Sequence, residues 1–498
     1  MITLLLSALL KSTLKQALNL IQVKKPAILL VFLFTSSVLF GCSYLPFQAK
    51  PINQVAIVTK LVNRTPNSED FQAYLHKQGY VELPITKWGL QDLTYCALFF
   101  NPTLAVAKAK WIAVLAAVES SKIKPNPSIN GKISHSNLKN SDSSPWAFGL
   151  GLDLPVDIAN KREIQTALAS NEAEIAKIDV ALTAWQIQHQ VAVLLIDYYE
   201  SQALIALLNK ESATQTAIIN LLDKRLSLGM IDRREVNTAK LLQQKTMQML
   251  NGIEARATET RGALASTVGL TSVEFDTLPI KPFNISASNS KNDQALKSAL
   301  SNSAVSANNQ PLQTTALLNR LDIRAGLIRY ELAENQLKLA VAKQYPDITL
   351  SPSYAFEFGD SIWSLGIASL FNLLNKNSSL NASLINEATQ LREVEAAQFV
   401  ALQAKVIGDL SQALAAYNSA NQQVAQAENL VQQQSVLDQS LQKQFDSGLI
   451  DRLALTSNQL IAINAAQNLV ASQFKSLRAA YAIEDVMQHP LYTDPLLQ

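Results

Sequence analysis

The sequence predicts an α+β membrane protein built from two copies of one unit, each with a β-hairpin and a very long helical hairpin. Three observations point there: a phrase written twice 219 residues apart, long stretches without Pro or Gly, and runs in which apolar and polar residues alternate.

The doubled phrase reads RLSLGMIDR from 225 and QFDSGLIDR from 444. Gly229 and Gly448 suit the position just past a helix, where a left-handed backbone is cheap only for glycine. Asp232 and Asp451 suit the N-cap of a following helix. Glu235, three residues after Asp232, predicts a capping box that Ala454 denies to the second copy. Two residues between glycine and aspartate make a tight αα-hairpin tip. The echo continues upstream at the same offset. KPNPSIN (124–130) aligns with KQYPDIT (343–349), and NPTLAVAKAKW from 101 with RLDIRAGLIRY from 320. The chain is an internal duplication.

The long helices follow from punctuation. Residues 156–228 contain neither Pro nor Gly, and 367–489 contain only Gly408 and Gly448. A helix of roughly 65 residues spans about 100 Å and needs coiled-coil-like support. Leu168, Ile175, Leu182, His189 and Ile196 repeat every seven residues, as do Asn171, Ile178, Trp185, Ala192 and Tyr199. They form a narrow, mostly apolar seam.

The strands follow from period two. Trp146, Phe148, Leu150, Leu152 and Leu154 alternate with Ala147, Gly149, Gly151 and Asp153. Ile348 to Phe358 alternates in the same way, as does Trp363, Leu365, Ile367; a weaker run includes Ile129, Ile133 and His135. One apolar face, one small or polar face, about 10 residues and aromatic ends describe a transmembrane β-barrel strand. Four strands cannot close a barrel, which takes at least about 8, and open edges in lipid leave backbone groups unpaired. The strands must pair with other copies, two chains giving 8 and three giving 12.

The N-terminus reads as an export signal. Residues 1–41 carry four lysines and no acid, so the net charge of +2 becomes −2 without them. An apolar core of about 15 residues is short for a membrane span and fits a signal sequence. It ends in LFGC at 39–42, which resembles a bacterial lipobox with Phe40 in place of a small residue; Cys42 would then be acylated, palmitate included. An ordinary signal peptide or a short anchor helix is the alternative. The expected organisation is 1–41 signal peptide, 42–85 lipidated extended segment, 86–283 first repeat, 284–312 Ser/Asn-rich linker with a short helix near 293–303, and 313–498 second repeat and tail. Cys96, in the apolar run LTYCALFF, reads as a buried small hydrophobe.

Several classes are excluded. The near-zero charge argues against a nucleic-acid partner. His76, His135, His189 and His489 have no metal-ligand spacing, and no phosphate loop or nucleophile motif occurs. No catalytic residue, metal or cofactor is expected, and no enzyme.

WGLQDLTYCALFFNPTLAVAKAKW, the proline-led strands, the PVDIANKR strand-to-helix turn and the two tips together resemble the TolC-like outer-membrane efflux family, lipoprotein branch, over about 86–485. The resemblance implies a homotrimer with a 12-stranded barrel in outer-membrane lipid and a long periplasmic α-helical barrel. It implies an exit duct for tripartite efflux or type I secretion, joined by a periplasmic adaptor to an RND, ABC or MFS pump. Arg225, Leu226, Ser227, Gly229, Asp232, Phe445, Ser447, Gly448 and Asp451 are the expected tip and adaptor-contact residues. Arg233, Arg234, Glu235 and Arg452 are the candidate gate, through ion pairs between adjacent hairpins. The family's acidic ring after the second tip is replaced here by Ala454 and Ser457. The competing reading is a non-conducting periplasmic coiled-coil scaffold, which has no need of long alternating strands.

Overall fold

A computed structural model describes residues 46–135, 145–283, 310–345, 347–357, 359–368 and 379–488, with Asn137 and Ile285. The expected signal peptide, Cys42, Phe358, the linker helix near 293–303 and the last ten residues lie outside them. The chain divides at Lys60–Leu61, and every element from α2 onward belongs to the second unit.

The order is α1 (Gln54–Val62), α2 (Glu69–Lys77), α3 (Leu90–Phe100), α4 (Pro102–Ser121), β1 (Ser128–His135), β2 (Trp146–Val156), α5 (Lys161–Ser227), α6 (Arg233–Val268) and α7 (Ser272–Asp276). The second repeat continues with α8 (Gln310–Asn319), α9 (Leu321–Ala342), β3 (Ile348–Glu357), β4 (Asp360–Ala368), α10 (Ser379–Asp446) and α11 (Arg452–Met487). The helices α5 and α10 have 67 and 68 residues, and α6 and α11 have 36 each, so the duplication is kept almost residue for residue.

Two expectations are corrected. The segment 42–85 is not extended throughout: it contains α1 and α2, and α2 places Phe71 and Leu75 one turn apart on a fully buried face. The second repeat begins no later than Gln310, since α8 stands where α3 stands in the first.

The Asn-Pro step at 101–102 shows how sequence sets a local turn. Asn101 Oδ1 accepts from Thr103 N–H (2.8 Å), and Pro102 occupies the first helical turn, where its missing donor does no harm. Asn101 Nδ2 donates to the Thr267 carbonyl (2.8 Å), tying α4 to the end of α6. There Gly269 turns left-handed (φ +83°) against the backbone of Phe100; a Cβ would meet the Phe100 carbonyl at 2.7 Å.

The largest core lies around these joints. Phe71, Trp88, Leu93, Cys96, Leu195, Ile196, Leu264, Phe275, Phe474 and Leu477 pack together there, joining both repeats to α2. Each fully buried large apolar side chain contributes about 1.5–3 kcal/mol. The seam on α5 is real but local: Ile178, Ala192, Ile196 and Tyr199 are buried, while His189 is half-buried with Nδ1 3.9 Å from Asp485. Cys96 is wholly buried, and burial pushes its thiol well above the ordinary range, as expected for an inert packing residue. A second cluster (Ile323, Val406, Leu410, Tyr417, Ile483, Met487) holds the second repeat, and a third (Ile218, Leu222, Val236) lies near the tips.

Candidate functional site: a two-faced sheet and paired hairpin tips

The four strands form one antiparallel sheet in the order β1-β2-β3-β4. Its register sorts side chains by chemistry. Ile129 faces Leu152, Ile133 faces Phe148, Phe148 faces Phe356, Leu150 faces Tyr354, Leu154 faces Leu350 and Tyr354 faces Trp363. Aromatic rings meet across strands on this face, Phe148 on Phe356 at 5.4 Å and Tyr354 on Trp363 at 4.8 Å.

The opposite face holds Ser128, Asn130, Lys132, Gly149, Gly151, Asp153, Ser351, Ser353, Ala355 and Ser364. Asp153 accepts from Ser351 Oγ (2.7 Å), Asn130 Nδ2 (2.9 Å) and Ser128 Oγ (3.2 Å), so one carboxylate links three strands. Gly151 makes this possible, since a Cβ there would collide with the Asn130 amide. His135, Ser361 and Ile362 depart from the sorting: His135 meets the Trp146 ring edge-on (4.6 Å), and Ser361 is hydrogen-bonded to Tyr354 Oη (3.1 Å). β1 and β4 are the outer strands, each paired on one side only among the described residues. Lys161, at the start of α5, reaches Asp347 (2.8 Å) and ties one repeat to the other below the sheet.

At the other end of the long helices, both tips form as the doubled phrase requires. Gly229 (φ +71°) and Gly448 (φ +75°) are left-handed. Met230 N–H closes on the Arg225 carbonyl and Leu449 N–H on the Gln444 carbonyl (2.9 and 2.8 Å), equivalent bonds in equivalent places. Ser227 Oγ donates to the Lys224 carbonyl and Ser447 Oγ to that of Lys443. Leu226 packs with Ile231, Leu453 and Leu460 on the tip cluster.

The caps differ, which corrects the capping-box expectation. Asp232 accepts from Arg234, through its backbone N–H (3.2 Å) and its Nε (2.7 Å), and Glu235 does not close the box. Asp451 accepts from Ala454 N–H (2.8 Å) at the third helical position without any box partner. Both carboxyls are held below the usual carboxylate range, Asp232 chiefly by the Arg234 side chain and Asp451 chiefly by Ala454 N–H and then Arg225.

Within the single chain the gate residues have these surroundings. Arg234 is folded onto its own cap, and Arg452 lies over the Phe445 ring (5.7 Å) of its own hairpin. Arg233 and Glu235 are exposed. At the tips, Arg225 pairs with Asp451 across the two hairpins of the chain, both expected only as tip contacts.

Above the tips lie polar layers that sequence reasoning missed. Glu211 accepts from Thr246 Oγ1 (2.8 Å), Gln215 Nε2 (3.1 Å) and Gln467 Nε2 (2.6 Å), which joins α5, α6 and α11. Gln434 donates to Asn458 Oδ1 (2.9 Å) inside the second hairpin. Gln215 and Gln434 are 219 residues apart, so the repeat offset itself was the signal that could have found them. Higher still, Arg478 of α11 donates to Asp197 and Glu200 of α5 (2.8 Å each), with Arg256 of α6 behind them.

Comparison with known proteins agrees with this geometry. Residues 93–270 match the family model "Outer membrane efflux protein". Among solved structures, the outer membrane protein VceC from Vibrio cholerae superposes with a TM-score of 0.62 at 17% identity, covering 82% of this chain and 100% of that one. The Campylobacter jejuni CmeC outer membrane channel gives 0.60 at 13% identity over 90% and 93%. The open state of the Neisseria gonorrhoeae MtrE outer membrane channel gives 0.59 at 14% over 91% and 99%. No curated protein matches the sequence. The resemblance read from the sequence is thus matched by the outer membrane efflux protein model over residues 93–270, and the chain shares the fold of these outer membrane channels.

Proposed function

We propose that the protein is the outer-membrane exit duct of a tripartite efflux pump or type I secretion machine, passive and gated, with energy supplied by its partner pump. The observation that carries this reading is the sorted sheet, apolar on one face and small or polar on the other, with a strand available for pairing at each edge. In lipid an unpaired edge costs several kcal/mol per exposed backbone group. Three copies closing β4 on β1 give the 12 strands that remove both edges, with the apolar face on lipid and the Asp153 face on the bore. The long hairpins then hang into the periplasm, lipid-anchored through Cys42, with their tips as the mouth and the adaptor contact.

At that mouth Arg225–Asp451 closes the two hairpins of each chain on one another. Purified protein in detergent should run as a heat-resistant trimer and make liposomes permeable to small sugars. A monomer that leaves liposomes sealed favours the scaffold reading.

A further inference from the structure

The polar face of the sheet divides into rows, because the register carries from β1 through β4. Successive rows lie two residues apart along each strand. Asp153 stands in the row nearest the long helices, beside Ser128 and Ser351. Lys132 stands two rows further out, opposite Gly149. The last row, at the hairpin ends, holds Glu357 and Asp360 as direct partners across β3 and β4. These are the charged side chains of this face among the described residues. One is positive and three are negative, which leaves a surplus of two negative charges per chain. The turn between β1 and β2 adds Lys139 and Asp142, one of each sign.

The surplus is not spread evenly. Asp153 is held by three neutral donors, and Lys132 offsets its charge. Glu357 and Asp360 are exposed, and neither side chain makes a hydrogen bond or ion pair among the described residues. Like charges directly opposite across a strand pair repel, so the hairpin keeps them against their own preference. Lys132 lies two strands across and one row down. At about 4.8 Å per strand and 3.4 Å per residue that is about 12 Å, beyond the Debye length of about 8 Å at physiological salt. The hairpin tips at the other end differ. There Arg234 binds Asp232 and Arg225 binds Asp451, while Ala454 and Ser457 carry no charge.

We infer that Glu357 and Asp360 are the charge filter of the duct, favouring positively charged solutes over negatively charged ones of the same size at the outer end of the sheet. The filter rests on the exit-duct reading, which turns this face to the bore, and names the residues that give that bore its specificity. Three copies would set two carboxylates each around one opening. A mouth lined by one sign of charge raises the local concentration of counter-ions about tenfold or more at low salt.

The experiment uses the full-length oligomer in planar bilayers of neutral lipid under a potassium chloride gradient. The wild-type reversal potential should lie on the cation side. Glu357→Gln with Asp360→Asn should move it toward zero, and Glu357→Asp with Asp360→Glu should keep it. The preference should fade from about 0.1 M to about 1 M salt, as the Debye length falls from about 10 to about 3 Å. A further variant does not depend on how the double variant assembles. Ser134→Cys lies in the same outer row, opposite Ala147. Modified after assembly with a positively charged methanethiosulfonate, it should also move the potential toward zero. An anion-selective or unselective wild type, or a preference unchanged by neutralisation and by the Ser134→Cys label, overturns the filter but leaves the duct standing. A membrane-inserted oligomer that never conducts overturns both.

Discussion

Leu150→Arg tests whether the apolar face of the sheet meets lipid. Leu150 is the fifth residue of the eleven in β2 and is largely exposed in the single chain, so its replacement removes little packing within the chain. At about 3.3 Å per residue and a tilt near 40°, β2 rises about 28 Å, close to the roughly 25 Å apolar band of an outer-membrane barrel. Leu150 then lies about 10 Å above Trp146, near the middle of that band. An arginine at that depth costs about 2–4 kcal/mol, a factor of roughly 30 to 1,000 in the insertion equilibrium per chain. Ala355→Arg is the control, because Ala355 faces Gly149 on the opposite side of the sheet, which the duct reading turns toward the bore. Guanidinium titration of vesicle-inserted protein, read by heat-modifiable gel mobility, should show a lowered midpoint for Leu150→Arg and little change for Ala355→Arg. Equal effects, or a neutral Leu150→Arg, refute the assignment of faces.

The remaining predictions concern the helical part. Gly269→Ala should destabilise far more than Gly229→Ala, since both are left-handed but only Gly269 would drive a Cβ into backbone, at 2.7 Å; Gly229→Ala should show only the left-handed strain of about 1–2 kcal/mol in a urea melt. Glu211→Ala leaves Thr246, Gln215 and Gln467 without their shared acceptor, and should cost about 1–3 kcal/mol, with Glu211→Gln recovering part of it. A double-mutant cycle on Arg225→Gln and Asp451→Asn should give a coupling of about 0.2–1 kcal/mol, with asparagine keeping the cap; zero coupling removes the clamp. Asp232 and Asp451 titrate lower in the folded tip than in the unfolded chain. Their contribution is present above the unfolded value of about 3.9 and is lost as pH falls through the folded value. Amide exchange at the tips, followed between pH 7 and 5, should therefore show no loosening from these groups, which should begin only below about pH 4.

The hairpin tips, the strands and the repeat were legible because each rests on local chemistry. Left-handed glycines, aspartate caps and period-two alternation leave marks a few residues wide, and duplication printed them twice. What stayed hidden depends on partners far away in sequence. α2 was hidden by prolines and polar residues on either side, although Phe71 and Leu75 already stood one turn apart. Arg234 displaced the expected Glu235 box because its backbone N–H and its guanidinium both bind the Asp232 carboxylate, which then does not accept from the Glu235 backbone N–H as a box requires. The bridge from Arg225 to Asp451 spans 226 residues of sequence, and only folding shows that the two tips lie side by side. Glu211, Gln215 and Gln434 carry no local mark, because the layer that joins them forms only between helices.

The central claim is that the sorted sheet and the long hairpins make a conducting duct, and single-channel recording of the purified oligomer in planar bilayers tests it most directly. Wild-type protein should give discrete conductance steps, and Arg225→Gln with Asp451→Asn should give longer or larger openings through a loosened mouth. Folded, membrane-inserted oligomers that pass no current in either form would contradict it.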